Sequence, residues 1–149
     1  MSQELTTLPH VPNRSEIEAL QSFLLKMPQA EPETTHYFAD GMYLRTVFRK
    51  AGVCVTGKVH KKEHFFAVIA GEMTIWTEAG MQRVKAPFFW ISQPGTKRVT
   101  YAHTDAIAMT VHRVSSTDID EIERELVEEE GASLFGPGNV PRTPALEAA

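Results

Sequence analysis

Glycines and prolines divide the middle of the chain into short β-type segments, and this division most constrains the fold. The segments rich in β-branched and aromatic residues are Tyr43–Arg49, Cys54–Lys58, Phe65–Ala70, Met73–Trp76, Phe88–Ile91, Val99–His103 and Ala106–His112. The breaks between them are closely spaced, and no helical period interrupts the region. The pattern therefore predicts a mainly β sandwich or barrel rather than a parallel α/β sheet.

Helical patterns flank the β-rich region on both sides. Ser15 and Glu18 have the spacing of a capping box, and an apolar stripe after them predicts a helix over about 16–26. A second apolar stripe on an acidic background begins after Thr117. We therefore divide the chain into an N-terminal arm with a short helix (1–39), a β-barrel (40–113), an acidic helix (117–130) and an extended or disordered Gly- and Pro-rich tail (131–149).

Composition excludes several classes of protein. The chain has 149 residues, 42% of them hydrophobic, which suits one domain with a real core. A net charge of −4 gives no basic surface, so nucleic acid is not an expected partner. No apolar run approaches roughly 18 residues, so no membrane span is expected, and the polar N-terminus, 1–13, lacks the apolar core of a signal peptide. Cys54 is the single cysteine, which excludes an intrachain disulfide and fits a cytoplasmic protein.

Two short motifs contain the residues that could bind a ligand or take part in a reaction. The run from Gly57 to His64, with Gly71 seven residues later, resembles the first cupin motif, and the Pro94-Gly95 turn resembles the second. The resemblance implies a cupin-type jelly-roll barrel. It also implies that the four metal-ligand positions of that family hold Lys58, His60, His64 and Arg98 in this chain. Only half of those positions therefore hold a histidine.

The spacing of His60 and His64 limits what they can bind. On a straight strand they would lie about 13 Å apart at roughly 3.3 Å per residue, so a turn at positions 61–63 must bring them together. Two neutral imidazoles suit a divalent transition metal, but the spacing identifies no third ligand. Lys58 and Arg98 would repel a cation. We therefore expect no cofactor, with a divalent transition metal on His60 and His64 as the alternative.

The same four residues, Lys58, His60, His64 and Arg98, have other uses. They could form a pocket for an anion or polar ligand, since Arg and Lys bind carboxylate or phosphate. They could also act in metal-free acid/base chemistry, or form hydrogen bonds at a polar barrel mouth and do nothing further. His103 lies on the face opposite Arg98 by strand parity, and His112 ends the last strand without an assigned role.

A second resemblance concerns function. The runs Thr56–His64 and Gln93–Arg98, with Tyr101-Ala102-His103, look like small cupin-like proteins encoded by tailed bacteriophages. This resemblance implies a non-enzymatic structural or binding cupin in the host cytoplasm. Such a protein would be an accessory, cement or decoration component of the virion or its assembly.

The phage resemblance also implies partners. We expect a homo-oligomer that contacts phage structural proteins through terminal arms. Adjacent aromatic residues such as Phe65 and Phe66 must point to opposite faces of a strand, so one of each pair could cover a subunit interface. The alternative is a metal-dependent cupin enzyme of the dioxygenase or isomerase class that uses His60 and His64.

Overall fold

The computed structural model of the chain describes residues 11–29 and 32–128. This part contains nine strands with a helix on either side, so the predicted mainly β chain with two flanking helices is confirmed. The elements are α1 (Arg14–Leu24), β1 (Glu33–Ala39), β2 (Met42–Arg49), β3 (Cys54–Thr56), β4 (His64–Ala70), β5 (Glu72–Thr77), β6 (Gly80–Lys85), β7 (Phe88–Ser92), β8 (Val99–Ala102), β9 (Ala106–Arg113) and α2 (Ile119–Leu126). The predicted tail, 131–149, lies outside the described residues.

The strands form two antiparallel sheets. One has five strands in the order β1-β2-β9-β4-β7, and the other has four in the order β3-β8-β5-β6. Strands that are neighbours in sequence often lie in different sheets, as in a jelly roll. The core is a cluster of apolar side chains from both sheets, namely Phe66, Val68, Met73, Ile75, Val84, Ala102, Ala106 and Ala108. Burial of these side chains holds the two sheets face to face.

Two strands were not predicted, β1 and β6. Each lies at the edge of its sheet, where one side of the backbone has no partner strand. In the sequence, β1 falls within the predicted N-terminal arm, 1–39. Val84 is the single buried residue of β6, and β1 has none. An edge strand of this kind carries no alternating apolar pattern, and a pattern search therefore misses it.

Helix α1 begins two residues earlier than predicted. Asn13 is its N-cap: the Asn13 side chain accepts a hydrogen bond from the backbone N of Glu16 at 2.9 Å. The Glu16 side chain accepts one in return from the backbone N of Asn13 at 3.2 Å. The predicted capping box at Ser15 and Glu18 is therefore wrong, because asparagine caps a helix as well as serine does and Asn13 lies upstream.

Helix α2 packs beside the ends of β2 and β9 in the five-stranded sheet. Its N-cap is Asp118, and its apolar stripe packs Ile122 and Leu126 against Tyr43 and Val114. After the helix, Val127 forms an isolated β-bridge with His60, in the segment before β4. Within the described residues, neither helix has the length and apolar character needed to cross a membrane.

Gly71 joins β4 to β5 at a close approach of two backbones. Its φ is +79°, and a Cβ on it would lie 2.2 Å from the carbonyl oxygen of Asp105 and 2.8 Å from the Cα of Ala106. Gly52 also has a positive φ, of +88°, but a Cβ there would meet nothing within 4 Å. The two glycines therefore share a backbone requirement and differ in the space around them.

We predict that Gly71→Ala lowers the free energy of unfolding by about 3 kcal/mol or more, because backbone strain and a backbone clash add. Gly52→Ala, the matched control, should lose only about 1 kcal/mol, since it meets the backbone strain alone. Urea unfolding of the two variants measures the difference. Equal losses would contradict the steric role of Gly71.

Candidate metal centre

Three histidine rings meet on the inner side of the five-stranded sheet. His60 lies in the segment before β4, His64 is the first residue of β4, and His112 lies near the end of β9. The rings are stacked, with centroids 4.4 Å apart for His60 and His64, 4.7 Å for His60 and His112, and 4.1 Å for His64 and His112. All three side chains are buried, and one ring nitrogen of each lies within 4.8 Å of the others.

The local fold explains this convergence. The chain bends at positions 61–63, as predicted, so His60 and His64 come together although four residues separate them. The register that pairs Phe65 with Val111 places His64 and His112, the next residues outward, side by side. The backbone of His60 is fixed to the Pro94-Gly95 turn, because its carbonyl accepts a hydrogen bond from the backbone N of Gly95 at 2.9 Å.

The hydrogen bonds of the histidine cluster leave two ring nitrogens without a partner. His60 Nδ1 and His112 Nε2 share a hydrogen bond of 2.7 Å, and His64 Nδ1 donates to the carbonyl of Lys62 at 3.0 Å. Among the described residues, His64 Nε2 and His112 Nδ1 have no hydrogen-bond partner, although both atoms are buried. Buried polar atoms are nearly always paired, so these two call for an explanation.

The surroundings keep the rings neutral. Burial, more than any other cause, lowers the pKa of all three histidines, and the positive charges of Arg45 and Arg98 lower it further. The pKa of His64 falls to about 4. A neutral imidazole keeps a lone pair on one nitrogen, which is the form that binds a metal ion.

A cavity of about 60 Å³ lies beside the histidine cluster and shares His60 with it. Lys58 and Arg98 also line this cavity, whereas His64 belongs to the cluster. Lys58 forms an ion pair with Glu123 of α2, with 3.0 Å between Nζ and Oε2. Arg98 donates from Nη1 to Ser92 Oγ at 2.5 Å, and its guanidinium lies 4.4 Å from the centre of the Phe66 ring.

Two expectations from the sequence change here, one on the cofactor and one on the role of His112. The expectation of no cofactor is wrong, because the buried cluster of His60, His64 and His112 supplies three candidate ligands, and His64 and His112 each have a buried ring nitrogen without a partner among the described residues. The sequence motifs do not identify His112 as the third ligand, because it lies in the last strand, outside both motifs. Alternation places His112 on the same face of β9 as Thr110. The sequence does not show that β9 pairs with β4, and it is this pairing that brings His112 to His64. His103 lies elsewhere and hydrogen-bonds Thr74 Oγ1 at 2.6 Å.

Comparisons with known proteins identify the fold. No family model and no curated protein matches the chain. Salicylate 1,2-dioxygenase from Pseudaminobacter salicylatoxidans matches with a TM-score of 0.54 and 11% identity, over 72% of this chain and 34% of the dioxygenase chain. KdgF from Halomonas sp. matches with a TM-score of 0.50 and 10% identity, over 56% of this chain and 80% of that one.

The chain has a cupin-type fold. The chain spans about a third of the dioxygenase chain that it matches. At these identities the likeness concerns the fold, and the histidine cluster must be judged on its own geometry.

The lowered histidine pKa values predict acid sensitivity of the metal-free protein. An unfolded histidine binds a proton below about pH 6.5, whereas folded His64 stays neutral down to about pH 4. The unfolded state therefore binds more protons in this window, and the free energy of unfolding should fall as the pH falls through it. Urea unfolding at a series of pH values should show a smaller fall for His64→Gln than for the original protein. Equal slopes would contradict the buried neutral state of His64.

Proposed function

We propose that this cupin is a metal-dependent enzyme whose metal centre consists of His60, His64 and His112. The observation that carries the proposal is the pair of buried ring nitrogens, His64 Nε2 and His112 Nδ1, that lack partners among the described residues. A divalent transition metal would satisfy both, and the third ring lies within reach. The proposal replaces the pair of histidines expected from the sequence with a triad.

The donor set fits such a metal. Imidazole suits zinc, copper, iron and nickel, and three protein ligands leave at least one coordination position open, as in catalytic sites. When bound, the metal would supply Lewis-acid activation of a small molecule at that open position. The dioxygenase or isomerase class, which was the alternative to a non-enzymatic cupin in the sequence, agrees with this arrangement.

The chain's own residues would set the conditions around the metal. Burial keeps water from the rings, and the cavity that shares His60 gives a second molecule a place beside them. The positive charges of Arg45 and Arg98 disfavour protonation of the rings. Those charges also favour an anion over a cation as the molecule that enters the cavity.

We predict that untagged protein loaded with Fe²⁺, Mn²⁺, Co²⁺, Ni²⁺ or Zn²⁺ in separate experiments retains one of these ions per chain after desalting. His112→Ala should weaken that binding by about 100-fold or more, since losing a ligand costs more than losing a ligand's hydrogen-bond partner. Mass-spectrometric metal analysis and equilibrium competition with a chelator measure both effects.

His103→Ala is the matched control for this experiment. It also removes a histidine, but one that directly follows β8 and hydrogen-bonds Thr74 away from the cluster. It should bind metal as the original protein does. The proposed centre would be refuted if the original protein retained no metal, or if His112→Ala retained as much as His103→Ala.

A second proposal concerns assembly, and the outer face of the five-stranded sheet favours it. Phe65 is 58% exposed, Phe89 68% and Ile91 52%. Phe65 and Ile91 are directly paired across β4 and β7, so the three side chains form one patch, which we call the outer aromatic patch. Exposed apolar patches of this kind mark protein interaction surfaces. We propose that a second copy of the chain covers it in a homo-oligomer.

The aromatic pairs support this interpretation. Phe66 is buried while its neighbour Phe65 is exposed, as the sequence predicted for adjacent aromatics on one strand. The role in a phage particle stays a prediction that rests on the sequence resemblance. It would add phage structural proteins as partners through arms 1–14 and 132–149. Most of these arms lies outside the described residues.

We predict that Phe89→Ser shifts the protein from oligomer to monomer. An aromatic residue at the centre of an interface is typically worth about 2 kcal/mol or more, which corresponds to roughly 30-fold weaker association. Light scattering coupled to size-exclusion chromatography over a dilution series measures the shift. Met81→Ser, on the exposed edge strand β6, is the control and should not change the mass. A monomeric original protein would exclude this interface.

A further inference from the structure

Three arginine side chains line the cavity between the sheets. Arg45 and Arg49 lie four residues apart on β2 and therefore on the same face of that strand. Arg98 comes from the segment before β8. A guanidinium stays charged at any physiological pH, and removing it from water is costly unless an anion and hydrogen-bond acceptors replace the water. The cavity therefore contains an unusual concentration of positive charge for the inside of a barrel.

The described residues do not balance this charge. Arg45, Arg49, Arg98 and Lys58 line the cavity, and Glu123 supplies a carboxylate at its edge. Glu123 lies 3.9 Å from Arg45 Nη1 and 3.0 Å from Lys58 Nζ, so two cations share it. Within the described part of the chain, Arg49 and Arg98 have no ion-pair partner. Burial and the neighbouring arginines lower the pKa of Arg49 and of Arg98 to about 10.

Hydrogen-bonding groups in the cavity also lack partners. Arg45 Nε, Arg49 Nε and Arg49 Nη1 are buried atoms with no acceptor among the described residues. The hydroxyls of Thr100 and Thr110 are in the same condition, and these two residues are only 6% and 7% exposed. All five atoms belong to residues that line one cavity, which indicates an absent molecule rich in acceptor oxygens.

We infer that this cavity is a binding site for a small carboxylate, held by Arg49 together with Arg45 and Arg98. Arginine forms parallel charge-assisted hydrogen bonds to the two oxygens of a carboxylate. The volume of about 60 Å³ corresponds to room for roughly four to six water molecules, which limits the ligand to a few carbon atoms.

The rest of the lining favours an organic anion over phosphate or sulfate. Val47, Val55 and Ala108 form an apolar part of the wall, which suits the carbon atoms of a carboxylate and offers nothing to a fourth phosphate oxygen. The carboxylate site goes beyond the proposed metal centre and does not depend on it, because no arginine belongs to the histidine cluster. His60 borders both, so the carboxylate would lie beside the centre.

The test uses full-length protein freed of metal with a chelator. Oxalate and malonate are the probes, and phosphate and chloride are compared at the same ionic strength by isothermal titration calorimetry and thermal unfolding. We expect saturable binding heat and a rise in melting temperature with at least one of the two carboxylates. Phosphate and chloride should give neither effect. Absence of saturable binding with both carboxylates would overturn the inference, and so would equal binding of phosphate or chloride.

Arg49→Met is the decisive variant. It should weaken carboxylate binding by about 10- to 100-fold, the range expected for lost hydrogen bonds to a charged group. Without ligand it should melt at the same temperature as the original protein or higher, because an uncompensated buried charge is gone. Arg113→Met, at the exposed end of β9, is the matched control and should bind carboxylate normally. Unchanged affinity in Arg49→Met would overturn the inference.

Metal content is measured in parallel, so the two proposals can fail separately. Arg49→Met should retain the metal, and His112→Ala should retain carboxylate binding. A protein that binds metal but no carboxylate overturns the carboxylate site alone. A protein that binds carboxylate but no metal overturns the metal centre alone.

Discussion

The position of β9 between β2 and β4 is the constraint on which the site depends. Its register with β4 places His112 beside His64, and its register with β2 pairs Thr110 with Arg45. Because side chains alternate between the two faces of a strand, a slip of one residue would turn His112 and Thr110 to the outside. Small inward side chains, Ala106 and Ala108, belong to the core that the two sheets share.

The interior of this barrel is divided into an apolar half and a polar half. The core around Val68, Met73 and Ile75 holds the sheets together, while the other half contains arginines and neutral histidines. Buried groups without partners cost stability, and natural proteins accept such costs chiefly at functional sites. The unpartnered atoms of the cavity and of the histidine cluster therefore indicate function more strongly than any single motif residue.

The sequence predicted those strands and helices that bury apolar side chains in a regular pattern. Seven strands and the turn between His60 and His64 were found, whereas the edge strands β1 and β6 carry too few buried residues to show a pattern. The arginines of β2 were missed for another reason. Leu44 and Phe48 are apolar on one face of β2, which suggests that Arg45 and Arg49 on the other face meet solvent. The face with the arginines, however, also carries Tyr43 and Val47. Sequence parity alone could not decide which face was inside.

The inward orientation of Arg45 and Arg49 on β2 is related to what the outer face of the five-stranded sheet carries. The face that carries cations is turned inward, and the face with Phe65 and Phe89 is turned outward. Neither arrangement is favourable for an isolated barrel, because buried charge and exposed aromatic surface both cost free energy. Each would become favourable with the partner proposed for it, an anion inside and a second copy of the chain outside. The two proposals therefore use opposite faces of one sheet, and the alternation of side chains along its strands separates them.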